Sequence, residues 1–358
     1  MRRFAHLTAL LLSLPLVAAC GANETTVAPA PSEIILARPL GPTGPLAGFD
    51  ARSTERRFEL RDAVAAADGS ALYAMRDGAV EVFDPGSGER KGRISAPGGW
   101  DLAAVSADGT HIALVRGGTQ VRVLETNTGE ALHDVSLPQD FEVETVSPDG
   151  NFLFLIQHFP DGAYSVRGYD LVAGQLLKGS LGTKGQTVKM IGQAAGTAAS
   201  TDGRWLLTLY VDSNRRKAFV HALNVEGRYP LCIDLPSGAG DLAKLAQYAL
   251  SVSPDGRTAF AANPALGRVV EVHLLSARPV WTGGFKAAPG RGSRSVLSRD
   301  GSRLFFTNGS SVWSYETATG VIREAHRSSE PVRDLALSRD GKTLYLTPAG
   351  GTPTPISV

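Results

Sequence analysis

The stretch "SRDGKTLYLT" (338–347) reads as a tight turn running into an apolar strand, and close variants of it recur along the chain. An Asp-Gly pair stands in similar company seven times, at Gly69, Gly109, Gly150, Gly203, Gly256, Gly301 and Gly341. Successive copies lie 40, 41, 53, 53, 45 and 40 residues apart. Three residues before the glycine stands a Ser in six copies (Ser106, Ser147, Ser200, Ser253, Ser298, Ser338) and Ala66 in the first. Three residues after it comes an apolar residue every time: Leu72, Ile112, Leu153, Leu206, Ala259, Leu304 and Leu344. Each residue type suits a turn. Pro148 and Pro254 preset φ at the second turn position, Asp bonds the backbone two residues on, and Gly takes the position that strains a side chain.

Further apolar strands follow most copies: "VEVFD" (80–84), "VRVLE" (121–125), "VRGYD" (166–170), "VVEVHL" (269–274) and "VWSYE" (312–316). Four short antiparallel strands in about 40 residues is the unit of a propeller blade. A blade cannot bury both faces alone, and stacking blades in a ring buries them and removes most open edges. The expected fold is therefore all-β, a seven-bladed β-propeller of four-stranded antiparallel blades, spanning 33–358. The near-constant spacing argues against a β-sandwich, and about 40 residues per unit argues against a β-solenoid. One short helix is expected, at "DLAKLAQ" (241–247).

The segment "VSPDGRTAFAANPALGRVVEVHL" (252–274) resembles the YVTN and TolB-type repeats of bacterial propellers, a WD-repeat-like group. The likeness extends over roughly residues 55–350. The Tyr-Val-Thr-Asn strand is not literally present, and no Trp-Asp pair ends a strand. Such propellers serve as enzymes, scaffolds and adaptors alike, so the resemblance implies an architecture and leaves activity open.

The first residues, "MRRFAHLTALLLSLPLVAAC", have Arg2 and Arg3, an apolar run over 7–17, and small residues leading to Cys20. This pattern is expected to be a secretion signal, 1–19. The sequence "VAAC" (17–20) looks like a bacterial lipobox, which implies diacylglycerol transfer to the Cys20 thiol and cleavage before it. Residues 20–32, polar with Pro and Ala, read as a flexible tether. The expected location is the extracytoplasmic side of a membrane, periplasm or cell surface, with a palmitate-type lipid anchor.

Composition narrows the functional classes. The chain has 36 Lys and Arg against 35 Asp and Glu, so no basic excess points to nucleic acid. With Cys20 acylated, Cys232 has no partner for a disulfide and reads as a small core hydrophobe. No two of His111, His133, His158, His221, His273 and His326 have metal-motif spacing. His221 and His273 sit inside apolar strands and read as satisfied core residues. The Asp of each Asp-Gly lacks the alternating carboxylates of a calcium loop. No cofactor, metal or catalytic residue is assigned.

Two functions remain. One is a monomeric, membrane-tethered scaffold that binds an envelope protein or small ligand. The other is a propeller enzyme (a lactonase, a lyase or a quinoprotein-type oxidoreductase) working at the mouth of the central channel, where converging His and carboxylates would mark it. Loop lengths suggest where a partner would bind. The Asp-Gly turns join first to second strands and share one face of the ring, and the long connections fall on the other. They are 179–198, 236–249, "QHFPDG" (157–162) and "VDSNRRK" (211–217). They are expected to gather His158, Phe159, Asp161, Lys184, Lys189, Arg215 and Arg216. At the ends of the fold, "EIILARPL" (33–40) is expected to complete the last blade beside "GGTPTPISV" (350–358).

The lipobox gives a direct test. Cys20→Ala should move the protein from the membrane to the soluble fraction, because one acyl tether is lost. Persistence of the variant in salt-washed membranes would contradict the anchor.

Overall fold

The structure, a computed structural model, describes residues 33–37, 45–182, 187–236, 241–287, 290, 293–348 and 351–358. Its strands form eight antiparallel sheets in chain order. The expected count of seven blades is thus corrected to eight. The added blade comes first: Ile34–Ala37, Pro45–Asp50 and Arg56–Arg61. It has no Asp-Gly turn, which is why counting that turn misses it. Its second and third strands are joined by a turn built on Asp50 instead, whose Oδ1 accepts the N–H groups of Arg52 and Ser53 at 2.9 and 3.0 Å. The short helix forms at Leu242–Leu245, capped by Asp241.

In blades two to eight each Asp-Gly pair joins the first strand to the second. In blade four these are Glu142–Val146 and Phe152–His158. The repeated phrase is a closed circuit of hydrogen bonds. Ser147 Oγ accepts the Phe152 N–H at 2.9 Å and donates to the Asp149 carboxylate. Asp149 Oδ1 accepts the Asn151 N–H at 3.1 Å, and the Gly150 N–H donates to the Ser147 carbonyl at 2.9 Å. Gly150 takes φ +68°, where a Cβ would be strained. The circuit of Ser, Asp and the strand N–H recurs from Ser106, Ser253, Ser298 and Ser338. Hydroxyl and backbone bonds at the exposed Asp300 hold its carboxyl down at about 2.

Between the blades lies the core. Each of the larger apolar clusters straddles two neighbouring blades. Phe152, Phe154, Tyr164 and Val166 of blade four meet Tyr210, Phe219 and Leu223 of blade five. Trp205, Leu207 and Val220 of blade five meet Ala261, Val270 and Val272 of blade six. Phe305 and Val312 of blade seven meet Leu335 and Leu346 of blade eight.

The ring closes between blades eight and one without a shared sheet. The strand Ile34–Ala37 pairs with Pro45–Asp50 in its own blade, so the expectation that it completes the last blade is overturned. Chemistry at Thr354–Ser357 explains why. The Val358 N–H points inward to the Lys342 carbonyl at 3.0 Å, so alternation turns residue 355 outward. That position is Pro355, which has no N–H to offer another strand. Closure uses side chains instead. Tyr345 donates to the Ala51 carbonyl at 3.0 Å, and Glu33 Oε1 accepts the Arg339 N–H at 2.7 Å. Tyr73 of blade two meets the Gly109 carbonyl of blade three in the same manner, at 2.6 Å.

The turn circuit should differ in weight between copies. Ser147 is buried, so Ser147→Ala leaves the Phe152 N–H without a partner and should cost about 1–3 kcal/mol in urea unfolding. Ser338→Ala, where water reaches the turn, should cost less; equal losses at the two sites would refute this account.

Candidate functional site

The strands nearest the channel set the first question. They are the first strands of the blades, and among the described residues none carries a His. Their charged groups are unevenly placed. Asp101, Glu142 and Glu144 stand on blades three and four, and Arg294, Arg333 and Asp334 on blades seven and eight, across the ring. Bulges fall near the start of several of these strands. The extra residue is Ala103, Glu144, Ala195 or Arg333. A bulge re-aims its side chain, and two of these four are charged.

Glu144 is the most perturbed carboxylate of this rim. Its Oε2 is enclosed without a hydrogen-bond partner. Burial, and then the nearby charge of Glu142, push its carboxyl up to about 7. The alternation in "FEVETV" (141–146) places both carboxylates at every second position, a signal already present in the sequence.

The expected recognition residues divide into groups. In blade four the hairpin after Phe152–His158 carries Phe159 and Asp161. Asp161 Oδ1 accepts the Ala163 N–H at 3.1 Å, and Oδ2 meets Lys189 Nζ at 3.0 Å. Lys189 also lies over the Phe159 ring, 4.3 Å from its centroid. These three side chains form one contact set. His158 turns to Glu142, Nε2 to Oε2 at 2.8 Å. Arg215 and Arg216 stand on the equivalent hairpin of blade five, where Asp212 accepts the N–H groups of Asn214 and Arg215, each at 3.0 Å. Lys184 and Cys20 lie outside the described residues, as do the expected signal segment and tether.

Lys189 is placed by a strap. After Gln175–Leu176 the chain returns, and Met190–Ile191 pairs with Ala163 and Tyr164 on the edge of blade four. Ser180 pins the return: its Oγ meets Ser165 Oγ at 2.6 Å and accepts the Val188 N–H at 2.6 Å. The strap therefore accounts for part of the longer spacing between the third and fourth Asp-Gly copies.

Arg216 holds φ +51°. The equivalent hairpin residues in blades four and six are Gly162 and Gly267, both at positive φ. An arginine kept where neighbouring blades use glycine stores strain of order 1 kcal/mol, and such positions cluster at binding sites.

Three readings from sequence change here. His273 is half-buried at the end of Arg268–His273 rather than in the core, its Nδ1 3.1 Å from Ser276 Oγ. His221 is fully buried, as expected, but its Nε2 has no hydrogen-bond partner. Cys232 is exposed on the outer strand Tyr229–Asp234, so it is not a core hydrophobe. Among the described residues no group of three or more His, Cys, Asp and Glu side chains is placed to hold a metal. None of the described helices is long and apolar enough to cross a membrane. A cavity of about 330 Å³ opens in blade eight, bordered by Glu330, Thr352 and Thr354. It lies across the ring from the Phe159 set, and Glu330 is its one titratable group.

Eight blades of short antiparallel strands around a channel define a WD-repeat-like β-propeller. No protein-family model matches the chain, and the comparison with curated proteins gave no match. Among solved structures, one similar to it is the mitotic checkpoint complex, at 14% identity, covering 98% of this chain and 99% of that one, with a TM-score of 0.50. Hydrazine synthase of Kuenenia stuttgartiensis is similar at 16% identity, over 86% of this chain and 99% of that one, with a TM-score of 0.46. At 14% identity the likeness to the checkpoint complex is one of fold.

Glu144 yields a pH test. A carboxyl near 7 in the folded state and 4.5 when unfolded keeps its proton longer when folded. Stability therefore falls as pH rises from 4.5 to about 7, and the cost is complete above that. Glu144→Gln should stabilise the protein by about 1–3 kcal/mol at pH 8 and have little effect near pH 4.5. A pH-independent difference in urea unfolding would contradict this.

Proposed function

We infer that this propeller is a tethered binding scaffold outside the cytoplasm, of the YVTN/TolB-like kind. Its recognition surface is the face opposite the Asp-Gly turns, over blades four and five, and its partner is an envelope protein or a small ligand. The observation that carries this reading is the set Phe159, Asp161 and Lys189, fixed on a hairpin and a strap. It stands one blade away from Arg215 and the strained Arg216. Long loops on a rigid frame are where binding resides. The leader and Cys20 supply the tether and the location in this reading. Binding is favoured over catalysis because the described channel strands carry no His of their own, and the histidine that meets one of their carboxylates, His158 on Glu142, is exposed.

The test is crosslinking in intact cells, comparing Arg215→Glu/Arg216→Glu with Arg257→Glu/Arg299→Glu on the opposite face. The first pair should abolish capture of the wild-type partner at unchanged melting temperature. Loss with the second pair alone would place recognition on the Asp-Gly face and overturn the assignment.

A further inference from the structure

Blades four and five meet at a group of side chains that the binding reading leaves unused. His221 and Cys232 lie directly opposite each other on neighbouring strands of blade five. Cys232 Sγ is 3.9 Å from His221 Nδ1 and 3.3 Å from Met190 Sδ, which arrives on the strap from blade four. The imidazole is held edge-on to two rings: Tyr164 at 6.3 Å and 79°, and Tyr210 at 6.2 Å and 87°. With Nε2 lacking any partner, nothing on that side fixes the tautomer. Nδ1 is left to whatever stands beside the sulfur. The site is dry on the His side and open to solvent at Cys232.

We propose that Cys232, Met190 and His221 form a copper(I) site that ties the strap to blade five. A thiolate, a thioether and one imidazole are soft or borderline donors, the set that selects copper(I) over harder divalent ions. With bonds of about 2.0–2.3 Å, donors around a three-coordinate centre stand roughly 3.7–4.0 Å apart. The distance from Cys232 Sγ to His221 Nδ1 already fits, and the two sulfurs, 3.3 Å apart, need to open to reach that range. Zinc takes four ligands in a closed site. The nearby carboxylate, Asp234, is engaged with Lys217 Nζ at 2.7 Å. Binding expels the thiol proton: Cys–SH and Cu⁺ give Cys–S–Cu and H⁺. No electron transfer is involved. The strap residue next to Met190 is Lys189, so a bound ion would also fix the Phe159 contact set.

The experiment uses the full chain with Cys20→Ala, which leaves Cys232 as the one thiol. Copper(I) is supplied under ascorbate against the chelator bicinchoninate. One copper per chain should be taken from the chelator. Cys232→Ser should abolish uptake. Met190→Leu, close in size, should weaken it by at least the ~10-fold that loss of an outer-shell partner costs. Melting of the metal-free variants separates lost ligands from lost folding. Uptake unchanged by Met190→Leu would overturn the proposal. So would equal affinity for zinc, or no uptake at all, which would leave a thiol–thioether packing contact only. None of these results depends on Arg215 or Arg216, so the partner-binding reading stands or falls separately.

Discussion

A blade of this protein has two apolar faces and no means of covering either. That constraint governs the rest. The large clusters are interfaces between blades rather than cores within them, as the meeting of Phe152, Phe154 and Tyr164 with Tyr210 and Phe219 shows. Burial of aromatic side chains supplies the driving force. The hydrogen-bonded turns supply the spacing, since each Ser-Asp circuit sets where a second strand starts relative to the first. Stability thus depends on neighbours, and a defect in one interface is felt by two blades.

Much of this was legible in the sequence. Pro, Asp and Gly at fixed offsets have a local physical meaning, so seven turns could be located without any long-range information. Blade one escaped because its turn is made by the Asp50 side chain bonding forward to Arg52 and Ser53, and Asp50 is not followed by Gly. The end of the fold was half legible. Pro355 signals an edge that pairs on one side, but nothing local says that the strand at Ile34–Ala37 would find Pro45–Asp50 first. A short hairpin brings strands together at small entropic cost compared with a partner some 300 residues away.

Loop length carried the signal for one contact set. Phe159, Asp161 and Lys189 were grouped by counting residues between turns, and the structure joins them. Arg215 and Arg216 stand on the hairpin of the next blade, while Phe159 meets Lys189. His221, Met190 and Cys232 come from three separate strands, and their proximity is a product of how the strap crosses between blades. No spacing rule along the chain reports that. Glu144 could have been found, because a second acid in a strand of valines has few ways to be solvated.

A ring sealed by Tyr345 and Glu33, rather than by strands exchanged between its ends, has a seam. All strand pairing is then between segments near in sequence, so the contacts that form blades are local ones. Topology of this kind favours rapid, stepwise growth from any starting blade, with the long-range contacts left to the final event. The seam is also the natural place for the ring to open, since the chain links the other neighbouring blades covalently and blades eight and one are joined by side-chain contacts. Nor does any strand pairing specify the number eight. A repeat gained or lost by duplication would leave every ladder intact and would change only the angle between neighbours.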